Sequence, residues 1–433
     1  MKEIIKKRVV PAMNKFIASP SLIAVKDGMI ATMALTIVGS IFLLLAKFPY
    51  EPIADWFLKM DITPVFMQVN KATFDILGLV SVFSIGYYYA KAKKVEALSS
   101  GILSLVSYLI LIEQSVKIED YSGLVSNIIP TSYLGSKGMV AAIIIGLSAG
   151  KVYSYFNLKG FTIKMPESVP KEVSNSFAAI IPGALIISIS ALLYGILRAY
   201  DTSFIDIIYK VIQTPLQYLT SSFWGAIGMA FITSFLWWFG VHGGSIVSGV
   251  LGGVLTANML TNQAIIDAGQ VLNSTKGHIV TYNFRTLLLN ITGSGITIGI
   301  VLYFLFFAKS EQFKKLGKLS IGSTIFNINE PVLFGTPIVL NPLMLIPFVG
   351  VPVVSVAVSY IAMDLGLVPL LGAINPPWTT PVIISGLITG GYRVALLQIV
   401  LIAISFFGYF PFIRKLDLIN LEQEQASKNK IEN

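Results

Sequence analysis

No cysteine occurs among the 433 residues. That excludes disulfides, thiolate metal sites and a cysteine nucleophile supplied by this chain. Only two histidines are present, His242 and His278, and no motif has metal-ligand spacing, so no metal site is expected. Walker-A, GxSxG and HExxH sequences are missing too. The chain lacks the parts of an ATP-driven pump, and no cofactor is expected. Charge is also scarce. Asp, Glu, Lys and Arg make up 12% of the chain, against roughly 25% in a soluble domain. Strong β alternation and short tandem repeats are absent.

What is there is apolar. Hydrophobic residues make up 55% of the chain and mean hydropathy is +0.76. Six windows approach the ~20 residues that a spanning helix needs: Gly28–Ala46, Met139–Phe156, Phe177–Leu197, Phe223–Gly240, Ile291–Ala308 and Leu343–Met363. Hydrocarbon offers backbone groups no water, so helices are the spanning element. The expected fold class is an all-α polytopic membrane protein embedded in a lipid bilayer. Its N-terminus is basic but broken by Pro11 and Pro20, unlike a cleavable signal peptide.

The formal charge is +9. In a soluble protein this would point to nucleic acid. Here the cations group as loops do, and no nucleic acid is expected. The clusters are Lys2–Lys15, Lys91/Lys93/Lys94, Lys159/Lys164/Lys171, Lys309/Lys314/Lys315/Lys318 and Arg414/Lys415 onward. The positive-inside rule places both termini in the cytoplasm. The first three clusters fit alternate crossings. Between Lys171 and Lys309 three obvious helices lie where an even number is needed. Either a fourth crossing or a re-entrant hairpin is hidden there, or the Lys309 cluster faces outward.

The first twenty residues read as an interfacial amphipathic segment. Five helices fit residues 1–200, the N-terminal half. Asp201–Ser222 reads as an interfacial helix between halves. The C-terminal half, 201–420, is interrupted by glycine and proline in three regions. These are Gly240–Gly253, Pro331–Pro352 and Asn375–Trp378. Such breaks at membrane depth are tolerated where backbone is buried in protein or lines a wet cavity, and they point to a transporter site. Residues 421–433 form a polar tail, expected to be cytoplasmic and mobile.

Glu330 is the only charged residue between Lys318 and Asp364. An intramembrane acid is costly and marks a substrate or ion site by default. It could pair with a cation on a neighbouring helix, or accept hydrogen bonds from a ligand's hydroxyls. Its neighbours favour the second reading: Asn329 suits a helix cap and Pro331 a first helical position. Between Lys210 and Asp267 no residue is formally charged, and His242 is the only group there that titrates near neutrality. His242 is either a hydrogen-bonded core residue or a group reaching a cavity at the Gly240/Gly243/Gly244 break. His278 reads as a loop residue. Arg285 either snorkels or clamps a hydroxyl or phosphate. Trp378 is packing, interface belt, or a stacking face for a pyranose ring.

The segments 240–244 (GVHGG), 329–342 (NEPVLFGTPIVLNP) and 164–183 (KMPESVPKEVSNSFAAIIPG) resemble EIIC, the membrane component of sugar phosphotransferase systems. The similarity is to the lactose/cellobiose/diacetylchitobiose group and covers nearly the whole chain. The resemblance implies a homodimer in the bacterial cytoplasmic (inner) membrane, with about ten transmembrane helices per subunit. It implies dimer contacts from the N-terminal half and a sugar held between two re-entrant hairpins of the C-terminal half. The family's ligand-contacting His and Glu match His242 and Glu330, which are also the candidates for assisting transfer. Arg285, Trp378, Asn329 and Gly243 are carried over as substrate-binding candidates. A partner, EIIB, would phosphorylate the sugar from a phosphocysteine, supplied through EIIA, HPr and enzyme I. With no cysteine here, EIIB is expected as a separate polypeptide.

The expected function is therefore a sugar permease for a β-linked disaccharide of cellobiose or diacetylchitobiose type, phosphorylated at the 6-hydroxyl. The half-helix beginning near Pro331 would add positive potential. Two other classes stay open. One is a proton-coupled sugar symporter using Glu330 and His242. The other is a non-transporting scaffold or sensor, against which the broken helices argue.

Overall fold

The computed structural model describes residues 15, 18–48, 51–117, 124–166 and 168–432. Most of the proposed interfacial segment at the N-terminus lies outside them. The described chain is helical apart from one antiparallel pair, Ser115–Lys117 with Leu124–Ser126. Among the described residues seven helices are long and apolar enough to cross a membrane; Phe204–Ser221 and Phe223–Trp238, bent by 81°, make a broken span or a re-entrant loop. Leu98–Ile110 and Ile298–Phe306 are apolar but shorter. Ten crossings are thus not visible as ten long helices, because the chain is interrupted where further spans would lie.

Between Lys171 and Lys309 the structure adds a helix that is long and apolar enough to cross a membrane. Gly243–Asp267 is a continuous helix of 25 residues. The expected break is confined to Gly240–His242, and Gly249, Gly252 and Gly253 lie inside the helix. Glycine costs a helix up to about 1 kcal/mol per residue in water. In an apolar surround the unmade backbone bonds would cost more, so the helix persists.

The chain divides into two compact units, Met1–Tyr218 with Ser248–Leu260, and Leu219–Val247 with Thr261–Asn433. In the first, the core gathers around Val82, Tyr108, Ile112, Ala142, Ile145 and Ile205. Its polar groups are paired between helices. The Ser107 and Ser190 hydroxyls lie 2.6 Å apart, and the Ser100 hydroxyl donates to the Gly86 carbonyl at 2.8 Å. Such bonds between apolar helices are the expected glue where no hydrophobic gradient separates helix from lipid.

In the second unit, Pro342–Asp364 packs against Phe223–Trp238 and the C-terminal helix. That last element runs Ile384–Glu432 with a kink at Gly390–Gly391. The helix continues through Glu422, and the Glu424 carboxylate accepts the Glu311 and Gln312 N–H groups at 3.0 and 2.9 Å. One turn pair earlier, buried Asp417 accepts from the Lys309 N–H (2.7 Å), the Ser310 N–H (3.0 Å), the Ser310 hydroxyl (2.7 Å) and the Tyr303 hydroxyl (3.2 Å). These carboxylates satisfy the open N–H groups at the start of Glu311–Ile325. The start of the tail thus caps that helix.

Candidate functional site

Glu311–Ile325 leads directly to Glu330. It ends at Phe326, and Asn327 turns the chain with φ 65°. A six-residue helix, Glu330–Gly335, follows. Pro331 is therefore its second residue, not its first. Asn329 does not cap it by side chain. Its amide turns away instead, donating to the Ser294 carbonyl at 2.7 Å and the Thr297 hydroxyl at 2.8 Å. Asn329 is 3% exposed, so it holds the turn rather than facing solvent. A helix this short carries little dipole, which removes the expected electrostatic role of a half-helix there.

Glu330 itself is exposed, and its carboxylate makes no hydrogen bond or ion pair among the described residues. The cationic-partner reading therefore fails, and the acid is presented rather than neutralised.

The loop beneath it, 290–297, is wound in an uncommon way. Thr292, Gly293, Gly295 and Ile296 all have positive φ, at 56, 92, 84 and 53°. Thr292 and Ile296 are β-branched, for which this region is a genuine outlier. Outside bonds hold them there. The Thr292 N–H donates to Asn327 Oδ1 at 2.7 Å, the Tyr409 hydroxyl to the Gly295 carbonyl at 2.6 Å, and the Ser405 hydroxyl to the Ile296 carbonyl. Over-determined strain of this kind clusters at ligand sites.

His242 precedes the helix Gly243–Asp267 and caps it. Its Nδ1 accepts the Ser245 N–H at 3.0 Å and lies 2.9 Å from the Ser245 hydroxyl. The imidazole stands 4.4 Å from the Trp237 ring. His242 is exposed, and the cap engages its Nδ1. Gly243 is required by packing: a Cβ there would meet the Thr233 carbonyl at 2.0 Å. It serves the site by letting the His242 turn close, not through a side chain.

The His242 turn is fastened to the far end of the Glu330 segment. Trp238 Nε1 donates to the Asn341 carbonyl at 2.8 Å, and the Leu340 N–H to the Trp238 carbonyl at 2.9 Å. Arg285 is 6% exposed, opens a π-helical turn (Arg285–Leu289), and lies 5.4 Å from the Tyr282 ring. Its Nε is buried with no partner in the protein. The snorkelling reading fails on that burial. The same turn is tied to the Trp378 loop, since Asn283 Nδ2 donates to the Gly372 and Ile374 carbonyls at 2.8 and 2.9 Å. Trp378 is 52% exposed.

All six sequence-predicted residues thus fall in the second unit, on segments that hydrogen bonds knit together. Three residues escaped the sequence reading. Trp237 Nε1 and Asn290 Oδ1 are buried without protein partners, and Asn327 bridges three segments. Lone polar groups inside glycine-rich breaks were the available signal.

Comparison with known proteins shows the family. The family model described as "Phosphotransferase system, EIIC" matches residues 26–352. The chain belongs to this EIIC family. It is 38% identical over 434 residues to the cellobiose-specific EIIC component of Geobacillus stearothermophilus, covering 98% of this chain and 96% of that one. It is 36% identical to the lichenan permease IIC component of Bacillus subtilis, covering 98% and 95%. The crystal structure of ChbC, the IIC component of the N,N'-diacetylchitobiose-specific phosphotransferase system, superposes with TM-score 0.90 at 36% identity, over 97% of this chain and 99% of that one. This EIIC chain is therefore a multi-pass membrane sugar permease component that works with an EIIB partner. No cysteine lies in its 433 residues to carry phosphate.

A separate polar cavity of about 590 Å³ lies in the first unit of the EIIC chain, lined by Glu113, Lys137, Arg198, Asp201 and Asp206 among others. None of the predicted residues lines it. Asp206 accepts the Tyr133 and Ser203 hydroxyls at 3.0 and 2.8 Å and lies 3.8 Å from the Lys137 ammonium. Burial, then the Asp206 carboxylate, push the Tyr133 phenol up to about 12. Asp206 is thus engaged by the cavity's own hydroxyls and cation.

Proposed function

We propose that this EIIC chain binds a β-linked disaccharide of the cellobiose or diacetylchitobiose type in its second unit and presents it for phosphorylation at the 6-hydroxyl. The observation that carries the reading is Glu330. It is the only charge between Lys318 and Asp364, it has no protein partner among the described residues, and both neighbouring asparagines are consumed in holding its turn. An acceptor-only group displayed in this way fits sugar hydroxyls. The exposed His242 imidazole supplies a second hydroxyl contact, and the exposed Trp378 indole a stacking face for a pyranose ring. The unpaired Arg285 Nε supplies a donor.

A separate EIIB polypeptide would carry the phosphocysteine, charged through EIIA, HPr and enzyme I from phosphoenolpyruvate. Transfer to a sugar oxygen requires chiefly positioning and charge stabilisation. Glu330 would accept the hydroxyl proton as the oxygen attacks. The assembly is a homodimer in the bacterial cytoplasmic membrane with both termini inside. The shorter apolar helices would complete about ten crossings. The proton-symport reading has no support from the relatives.

The test is sugar binding to purified protein by calorimetry over a small disaccharide panel. Glu330→Gln removes the charge from two or three hydroxyl bonds worth about 1.5–3 kcal/mol each. We expect affinity to fall at least a hundredfold. Parental affinity in this variant would refute the assignment.

A further inference from the structure

We propose that Asn327 is the positioning residue of the sugar site, setting the register between the segment that displays Glu330 and the segment that displays Trp378. The proposal rests on the functional reading above. Its ground is that one side-chain amide ties its own segment to two others. Oδ1 accepts the Thr292 N–H at 2.7 Å. Nδ2 donates to the Trp378 carbonyl at 2.7 Å and the Thr380 carbonyl at 3.0 Å. All partners are backbone groups, 35 to 53 residues away in sequence. Backbone partners are what fixes a chain path, whereas a side-chain partner could re-orient.

The backbone of Asn327 serves the same end. Its φ of 65° is left-handed, a conformation that asparagine tolerates better than most residues. The Asn327 N–H donates to the Thr324 carbonyl at 3.0 Å and the Ile328 N–H to the Ser323 carbonyl at 2.9 Å. These bonds stop the helix Glu311–Ile325 and swing the chain so that Glu330 follows three residues later. Asn329 pins the same 290–297 loop independently, through Ser294 and Thr297. The acid's turn is therefore held to that loop at two points, but to the Trp378 loop through Asn327.

The consequence is geometric. A pyranose offers a hydroxyl rim and an apolar face. A site with one carboxylate and one indole on different segments works only if their spacing is fixed. A misplacement near 1 Å can cost on the order of a hundredfold. Asn327 touches no reacting atom in this scheme. It acts through the placement of the other two groups.

The test separates placement from folding. Asn327→Gly removes the amide but not the turn, since glycine takes positive φ without penalty. Binding of cellobiose and of diacetylchitobiose is measured for the full-length protein in detergent, alone and in a Trp378→Ala background. We expect Asn327→Gly to keep a single gel-filtration peak and to weaken binding of the preferred sugar at least tenfold. In the Trp378→Ala background the same change should cost threefold or less, because the group being positioned is gone. An equal cost in both backgrounds would show a merely structural role and overturn the proposal, as would unchanged affinity in Asn327→Gly. Should the glycine variant fail to remain monodisperse, Asn327→Asp gives the same cycle, keeping the Thr292 acceptor while losing both donor bonds. If the parent protein binds neither sugar, the functional reading falls and this proposal with it. If the parent binds but the cycle is additive, only this proposal falls.

Discussion

Gly293→Ala should detach the Glu330 turn from the loop on which it rests. Gly293 has φ 92°, and a Cβ built there would stand 2.3 Å from Asn329 Cγ and 2.4 Å from its Oδ1. A non-glycine residue in the left-handed region costs about 1–2 kcal/mol. The contact adds to that. Asn329 is buried and cannot swing aside without breaking its bonds to Ser294 and Thr297, at ~1 kcal/mol each. The sum is ~3–4 kcal/mol, enough to shift either the stability of this unit or the position of Glu330. The assay is a thermal melt in detergent paired with sugar binding on the same preparation. We expect a clearly lowered melting temperature, sugar affinity at least tenfold weaker, or both. A variant with the parent's melting temperature and affinity would refute the packing argument for this turn.

Asp417→Asn exchanges a fully engaged carboxylate for an amide that must turn its NH2 group toward the N–H of either Lys309 or Ser310. It should lower the melting temperature and loosen the start of Glu311–Ile325, seen as faster amide exchange there. Arg285→Gln should weaken sugar binding while leaving the melting temperature nearly unchanged or raising it, because it removes a buried donor without a protein partner; an equal loss of stability would assign Arg285 to structure. His278, in the polar connection after Asp267, is held below its ordinary value of 6.5 by burial. The unfolded chain therefore binds a proton that the folded chain resists as pH falls below that value, so stability is kept at higher pH and lost on acidification. His278→Gln should flatten this acid-side loss in melts taken from pH 7.5 to 5, and an unchanged slope would contradict it.

Much of the candidate site was legible because membranes make polar residues conspicuous. Glu330 and His242 stood alone in uncharged stretches of more than forty residues, and Pro331 and Gly240 marked the breaks around them. What those side chains do locally was less readable. Asn329 looked like a cap because Asn before Glu-Pro usually is one. It reaches instead to Ser294 and Thr297, partners more than thirty residues away. Asn327 escaped notice for the same reason, since its partners are backbone groups of two distant loops. The glycines at 249, 252 and 253 were misleading, because backbone bonds in an apolar surround keep a helix that glycine would weaken in water. The capping contact of the tail was not readable, because Glu424 looks solvated until the open N–H groups of Glu311 and Gln312 are seen beside it.

The measurement that bears most directly on the account is sugar entry into membrane vesicles, followed by identifying what accumulates. Vesicles containing this EIIC chain are supplied with phosphoenolpyruvate, enzyme I, HPr, EIIA and EIIB, and then with each component withheld in turn. The account predicts that cellobiose or diacetylchitobiose enters only with the complete set, accumulates as the 6-phosphate, and is indifferent to an uncoupler. Accumulation of free sugar that persists without EIIB and stops with the uncoupler would contradict it.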